Sequence, residues 1–163
     1  MVNHKDPVVA KLAKEAAGDE KDRWKLAERL CRFVSEYIQQ KNLSIGFATA
    51  SEAARSREGD CTEHGILLAA LGRAMGFPTR VVTGVVYADE FAGRGKVFVG
   101  HLWTQFWIEG QWVDLDAARG ETVVDPTHIA LSISDAGDTS LADLVNSVWL
   151  NLGNLKLTVV SSD

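Results

Sequence analysis

The feature that most constrains this chain is a change of period partway along it. Up to Met75 apolar residues recur at spacings of three and four, whereas from Arg80 onward segments rich in valine and aromatics alternate apolar with polar. The first pattern buries one face of a helix and the second one face of a strand. Helices first and strands afterwards give an α+β domain, its N-terminal helices packed on an antiparallel β-sheet. A doubly wound parallel sheet would need the two patterns to interleave.

Within residues 20 to 40, Trp24, Ala27, Leu30, Cys31, Val34, Tyr37 and Ile38 share one helical face. A weaker helical stretch, Pro7 to Ala17, is set off by Gly18-Asp19 and reads as a short lid helix or a frayed leading segment. Residues 1–19 are therefore expected at the periphery of a single domain spanning 1–163. Residues 44–49 carry no period, and Ser51 to Ala54 begin one helical turn. Gly59-Asp60 then leads into a helix with a buried stripe of Leu67, Leu71, Ala74 and Met75, stopped by Gly76-Phe77-Pro78. Strands are expected over 80–87, 98–108, 112–116 and, closing the sheet, 155–160, with a flexible hairpin tip at Gly93 and Gly95.

A chain of 163 residues can bury a core without staples. With 46% hydrophobic and 24% charged residues it is far from the disordered class. The net charge of −5, with no basic cluster denser than Arg55 to Arg57, argues against nucleic acid and anionic lipid as partners. No apolar run approaches the ~20 residues that span a bilayer, and Met1 to Asp6 has no hydrophobic signal core. A chain cut from a longer polypeptide would lose such a segment, so the compartment stays open. Cys31 lies on the apolar face of its helix and reads as a buried free thiol rather than half of a disulfide with Cys61.

Cys61 begins its helix, where unpaired backbone N–H groups and the helix dipole stabilise a thiolate. Asp60 beside it reads as the helix cap. A nucleophilic thiol needs a base, and His101 lies on a strand where it shares a face with Trp103, Gln105 and Trp107. Glu109-Gly110 makes a two-residue hairpin turn, pairing Ile108 with Gln111 and so, step by step, Trp103 with Asp116. Asp116 then becomes the diagonal neighbour of His101, about 7–8 Å away at the backbone. A carboxylate there can orient the imidazole and favour its charged form. Asp114 lies on the same face one step further off.

Four blocks in order, Gly59-Asp60-Cys61-Thr62-Glu63-His64, Arg73-Ala74-Met75-Gly76-Phe77-Pro78-Thr79-Arg80, Gly100-His101-Leu102-Trp103 and Trp112-Val113-Asp114-Leu115-Asp116, resemble those of the bacterial transglutaminase-like domain. The resemblance runs from about residue 49 to residue 133. It implies a papain-like fold and a triad whose positions fall on Cys61, His101 and Asp116. It also implies acyl transfer on a peptide or protein amide through a thioester, without cofactor or metal, by peptidases, amidases or transamidases. One departure is that many members continue the last aspartate as Asp-Pro-Thr, where this chain has Ala117-Ala118.

Other residues read more plainly. His64 follows Cys61 by three, but no third and fourth ligand stand at a metal-finger spacing. His128 reads as loop structure, lining a cleft only if the Asp125-Pro126 turn folds back. Trp103, Trp107 and Trp112 form an aromatic band expected to pack against the Cys61 helix, with Trp103 also walling the substrate site. Two rival functions remain at this stage. An acyl-CoA-dependent amine acetyltransferase would want a basic pocket that the acidic balance disfavours, and a binding module could keep the fold without the chemistry.

Overall fold

The computed structural model describes residues 1–40 and 48–137 of the chain. The expected strand over 155–160 and most of the loop over 44–49 lie outside the described residues. Among the described residues four helices come first, α1 (Pro7–Ala17), α2 (Arg23–Tyr37), α3 (Ala50–Ser56) and α4 (Cys61–Ala74). Four strands follow, β1 (Thr79–Phe91), β2 (Arg94–Ile108), β3 (Gln111–Leu115) and β4 (Ile129–Ser134). They form an antiparallel sheet in the order β3-β2-β1-β4. The class is α+β, with the helices gathered against the sheet. Among the described residues no helix is long and apolar enough to cross a membrane.

α4 is the centre of the molecule. Every residue from Thr62 to Gly72 is buried, so the helix has no single apolar stripe, and Ala74 and Met75, expected in one, are only half-buried. A helix apolar on all sides is covered on all sides: α1, α2 and α3 pack on it from one direction and β1 and β2 from the other. α1 is correspondingly not peripheral. Its Val9, Leu12, Ala13, Ala16 and Ala17 are buried, and Asp6 caps it by accepting from the Val8 N–H at 2.9 Å.

The sheet face turned to α4 is built from Leu102, Thr104 and Phe106 of β2 with Thr79 and Val81 of β1, paired in register. Approach is close because Gly65 lacks a side chain: a Cβ there would overlap the Leu102 methyl. The Thr104 hydroxyl donates to the Gly65 carbonyl at 2.8 Å. The aromatic band Trp103, Trp107 and Trp112 therefore looks away from α4, contrary to the expected packing, because strand residues alternate and the even-numbered positions of β2 took the helix side.

Two hairpins build the sheet. Glu109 and Gly110 both have positive φ, 48° and 86°, as a tight two-residue turn of this hand needs, and the ladder runs from Ile108 opposite Gln111 to Thr104 opposite Leu115. The other hairpin is longer than expected: β1 and β2 pair as far as Phe91 opposite Arg94, so residues 88–91 and 94–97 are strand, and the turn shrinks to Ala92-Gly93. β4 lies outside the strands expected from sequence. It pairs with β1, with a register shift between Thr83 and Gly84.

Candidate active site

The first turn of α4 is held by a reciprocal capping box. Asp60 Oδ1 accepts from the Thr62 N–H at 2.8 Å, and the Glu63 carboxylate accepts from the Asp60 N–H at 3.0 Å and from the Ala48 N–H at 3.1 Å. Burial pushes the Glu63 carboxyl up, against the backbone N–H groups that donate to it. Cys61 is the first residue of the helix and half-buried, and its own N–H is one of those that helix geometry leaves without an intrahelical acceptor. Gly65 seats α4 on Leu102 and Thr104, which brings the turn before it, with Cys61, to the level of His101.

His101 sits just beyond the end of the β2–β3 ladder, and among the described residues no strand pairs with it on that side. After Leu115 the chain bends so that Asp116 bridges Glu121 backbone to backbone, at 2.9 and 2.8 Å. His101 Nε2 donates to Asp116 Oδ2 at 2.6 Å. That leaves Nδ1 as the nitrogen available to a thiol, and Cys61 lies near enough to influence the ring. Burial would lower the His101 pKa, but the bond with Asp116 and the interaction with Cys61 outweigh it and raise it to about 9.

Asp116 is completely buried. Burial alone would raise its carboxyl, yet hydrogen bonds from two imidazoles and the backbone hold it well below the usual carboxylate range. Its Oδ1 accepts from the N–H groups of Ala118 and Arg119 at 2.9 and 3.2 Å. The residues that follow Asp116 thus fold into a small turn around its carboxylate.

Trp103, expected as a wall of the substrate site, is only 2% exposed. Its indole N–H donates to Asp114 Oδ1 at 2.6 Å, and its ring stacks on that of His101 at 6.2 Å between centroids. It backs the imidazole rather than facing the open side. Asp114 also accepts from Gln105 Nε2 at 2.7 Å, and Gln105 in turn accepts from Arg80 Nε at 2.6 Å. Cys31 is a free, buried thiol, as expected, and burial pushes its pKa up to about 12.

His128, expected as loop structure, lies against Asp116. Its side chain is 2% exposed, its Nε2 lies 3.2 Å from Asp116 Oδ2, and its ring stands edge-on to His101 and Trp103. The Asp125-Pro126 turn does fold back, held by the Thr127 N–H donating to Asp125 Oδ1 at 2.8 Å. Among the described residues two sets of side chains have ligand atoms close enough for a cation, His101 with Asp116 and His128, and Glu121 with Asp125 and His128. In the first, both imidazole contacts with the carboxylate have hydrogen-bond length. His64 belongs to neither set; its Nδ1 lies 2.6 Å from the Asp60 carbonyl oxygen.

Residues 10–117 match the protein family described as the transglutaminase-like superfamily. No curated protein matches the chain. Among solved structures, a candidate cysteine protease from Cytophaga hutchinsonii is similar with a TM-score of 0.62 and 21% identity, over 78% of this chain and 42% of that one. A protein described as a TGase is similar with a TM-score of 0.53 and 13% identity, over 69% of this chain and 31% of that one. At these identities the likeness is one of fold. The chain spans less than half the length of either structure.

Proposed function

This chain belongs to the transglutaminase-like superfamily, and from that premise we propose that it performs cysteine-dependent acyl transfer on peptide or protein amides through a thioester, with Cys61 as nucleophile, His101 as base and Asp116 as the group that orients it. Members of the superfamily are cysteine proteases or transglutaminase-like enzymes. The observation that supports the reading is the 2.6 Å hydrogen bond from His101 Nε2 to the buried Asp116 carboxylate, with Cys61 near enough to raise the pKa of the same ring.

The Cys61 thiol gives its proton to His101 Nδ1, and the sulfur attacks the amide carbonyl carbon. The tetrahedral oxyanion meets the N–H donors at the start of α4. As it collapses the C–N bond breaks, the His101 imidazolium protonates the departing amine, and the acyl group stays on sulfur. Water or a second amine then loses a proton to His101, attacks the thioester and releases the thiol. Asp116 stays ionised and stabilises the imidazolium in both halves. Trp103 fixes the plane of the ring.

The test is iodoacetamide labelling of Cys61 across pH in the wild type and in His101→Ala, with Cys31 as the internal control. Labelling of Cys61 below pH 7 should exceed that of Cys31 by at least about a hundredfold and fall by at least about tenfold in the variant. Mass spectrometry should then detect an acyl group on Cys61 after a glutamine-containing peptide is added, and its release by water against an added alkylamine separates hydrolysis from transamidation. Equal, slow labelling of both cysteines would sink the proposal.

A further inference from the structure

Asp116 Oδ2 accepts from two imidazoles, His101 at 2.6 Å and His128 at 3.2 Å. The two rings stand edge-to-face with centroids 6.0 Å apart. A core histidine serving only to fill space would need one partner, but His128 has an oxygen facing each ring nitrogen. Nδ1 faces the Asp125 carbonyl at 3.3 Å and its Oδ1 at 3.5 Å, while Nε2 faces Asp116 and, at 3.8 Å, Glu121 Oε2. All of these are acceptors, which favours the doubly protonated ring. Glu121 and Asp125 also face Arg119, at 2.6 and 3.9 Å. Among the described residues no arginine or lysine side chain pairs with Asp116, which divides its charge between His101 and His128.

We propose that His128 is a positioning residue of the site, one that shares the Asp116 carboxylate with His101 and limits how strongly Asp116 draws a proton onto the His101 ring. This rests on reading Cys61, His101 and Asp116 as one machinery, and extends it to a residue beyond the family match, which stops at residue 117. Two imidazoles on one buried carboxylate titrate as a pair, since charge on either ring disfavours charge on the other. The raised pKa of His128, opposed by burial and driven by the bond to Asp116, agrees with that arrangement. Placement of Asp116 does not itself need His128, because the Ala118 and Arg119 N–H groups hold Oδ1. Losing His128 should therefore strengthen, not loosen, the hold of Asp116 on His101.

The experiment is an NMR titration of the four histidines in the wild type, His128→Gln and His128→Leu. In the wild type the His101 and His128 curves should each show a second inflection at the midpoint of the other. In His128→Leu the His101 midpoint should rise by at least about half a pH unit. In His128→Gln, which keeps an N–H donor but no charge, it should rise by less. Iodoacetamide resistance of Cys31 checks that each variant is folded; if the leucine variant is not, the glutamine variant and the wild-type curves decide. Independent single-step curves in the wild type, or a His101 midpoint that stays put or falls in the folded variants, would overturn the proposal. A Cys61 no faster than Cys31 alongside coupled curves would overturn the enzymatic reading and leave this one standing. Fast Cys61 labelling with uncoupled histidines would do the reverse.

Discussion

A buried carboxylate carrying hydrogen bonds from two rings and two backbone amides must influence stability as well as chemistry. The folded state raises the His101 pKa from 6.5 to about 9, so its contribution is full below about pH 6.5 and is lost as pH rises through 9. Asp116 is shifted the other way: its contribution is present above the unfolded value of about 3.9 and is lost as pH falls below it. The pair therefore stabilises most from about pH 5 to 6.5. Thermal melts of the wild type and His101→Gln should differ by on the order of 5 °C in that window, with the gap closing by pH 10. A gap independent of pH would mean that the imidazole only packs. The approach of Asp116 to His101 was legible in part, because the two-residue turn at Glu109-Gly110 sets the ladder as far as Thr104 opposite Leu115, although Asp116 then leaves the expected pairing with Trp103 to bridge Glu121. His128 was not legible, because its approach to Asp116 depends on how residues 117–127 double back, and no period encodes that path. The one hint was the Asp125-Pro126-Thr127 turn immediately before it.

Elements carry the site through the contact of α4 with β2, where Gly65 lies against Leu102. Gly65→Ala should destabilise the chain by about 1–3 kcal/mol, the usual cost of overpacking a core. It should also slow Cys61 labelling, because the first turn of α4 is lifted from the level of His101. Adding Leu102→Val withdraws the clashing methyl, so the double variant should recover part of both losses. Urea denaturation and labelling rates of the two singles and the double measure this coupling, and strictly additive effects would show that the two residues do not constrain the helix. The strand register was legible because apolar alternation and turn chemistry agree. The burial of α4 was misjudged because the run Ile66-Leu67-Leu68-Ala69-Ala70-Leu71 has no polar face by which to orient a stripe. β4 was missed because Leu131 and Ile133 are exposed and Ser132 and Ser134 half-buried, so its alternation opposes no polar surface to an apolar one.

At the scale of the whole molecule, the question is whether the first helix belongs to the cooperative unit or merely rests on it. Weak amphipathicity in sequence suggested a lid, but the segment is tied down at several points. The Ala50 N–H donates to the Met1 carbonyl at 3.1 Å, Asn3 exchanges hydrogen bonds with Ser51 at 2.7 and 3.1 Å, and Asp6 pairs with Arg55 at 3.1 Å. These ties clamp α3, which feeds directly into Gly59-Asp60-Cys61. The buried Val9 and Leu12 contribute roughly 1.5–3 kcal/mol each, an upper estimate because the unfolded chain already buries some surface. Removing α1 would also bare the side of α4 on which it packs, so the loss approaches the ~5–15 kcal/mol by which a domain is ordinarily stable. Deleting residues 1–17 should therefore abolish the near-ultraviolet circular dichroism of Trp24, Trp103, Trp107 and Trp112 and expose Cys31 to iodoacetamide. It should silence Cys61 activation as well, since the thiol is aligned only while α4 is held from both sides. A truncated chain that keeps its aromatic signal, its protected Cys31 and its fast Cys61 would make α1 a lid after all, and would put the foundation of the site in α4 and the sheet alone.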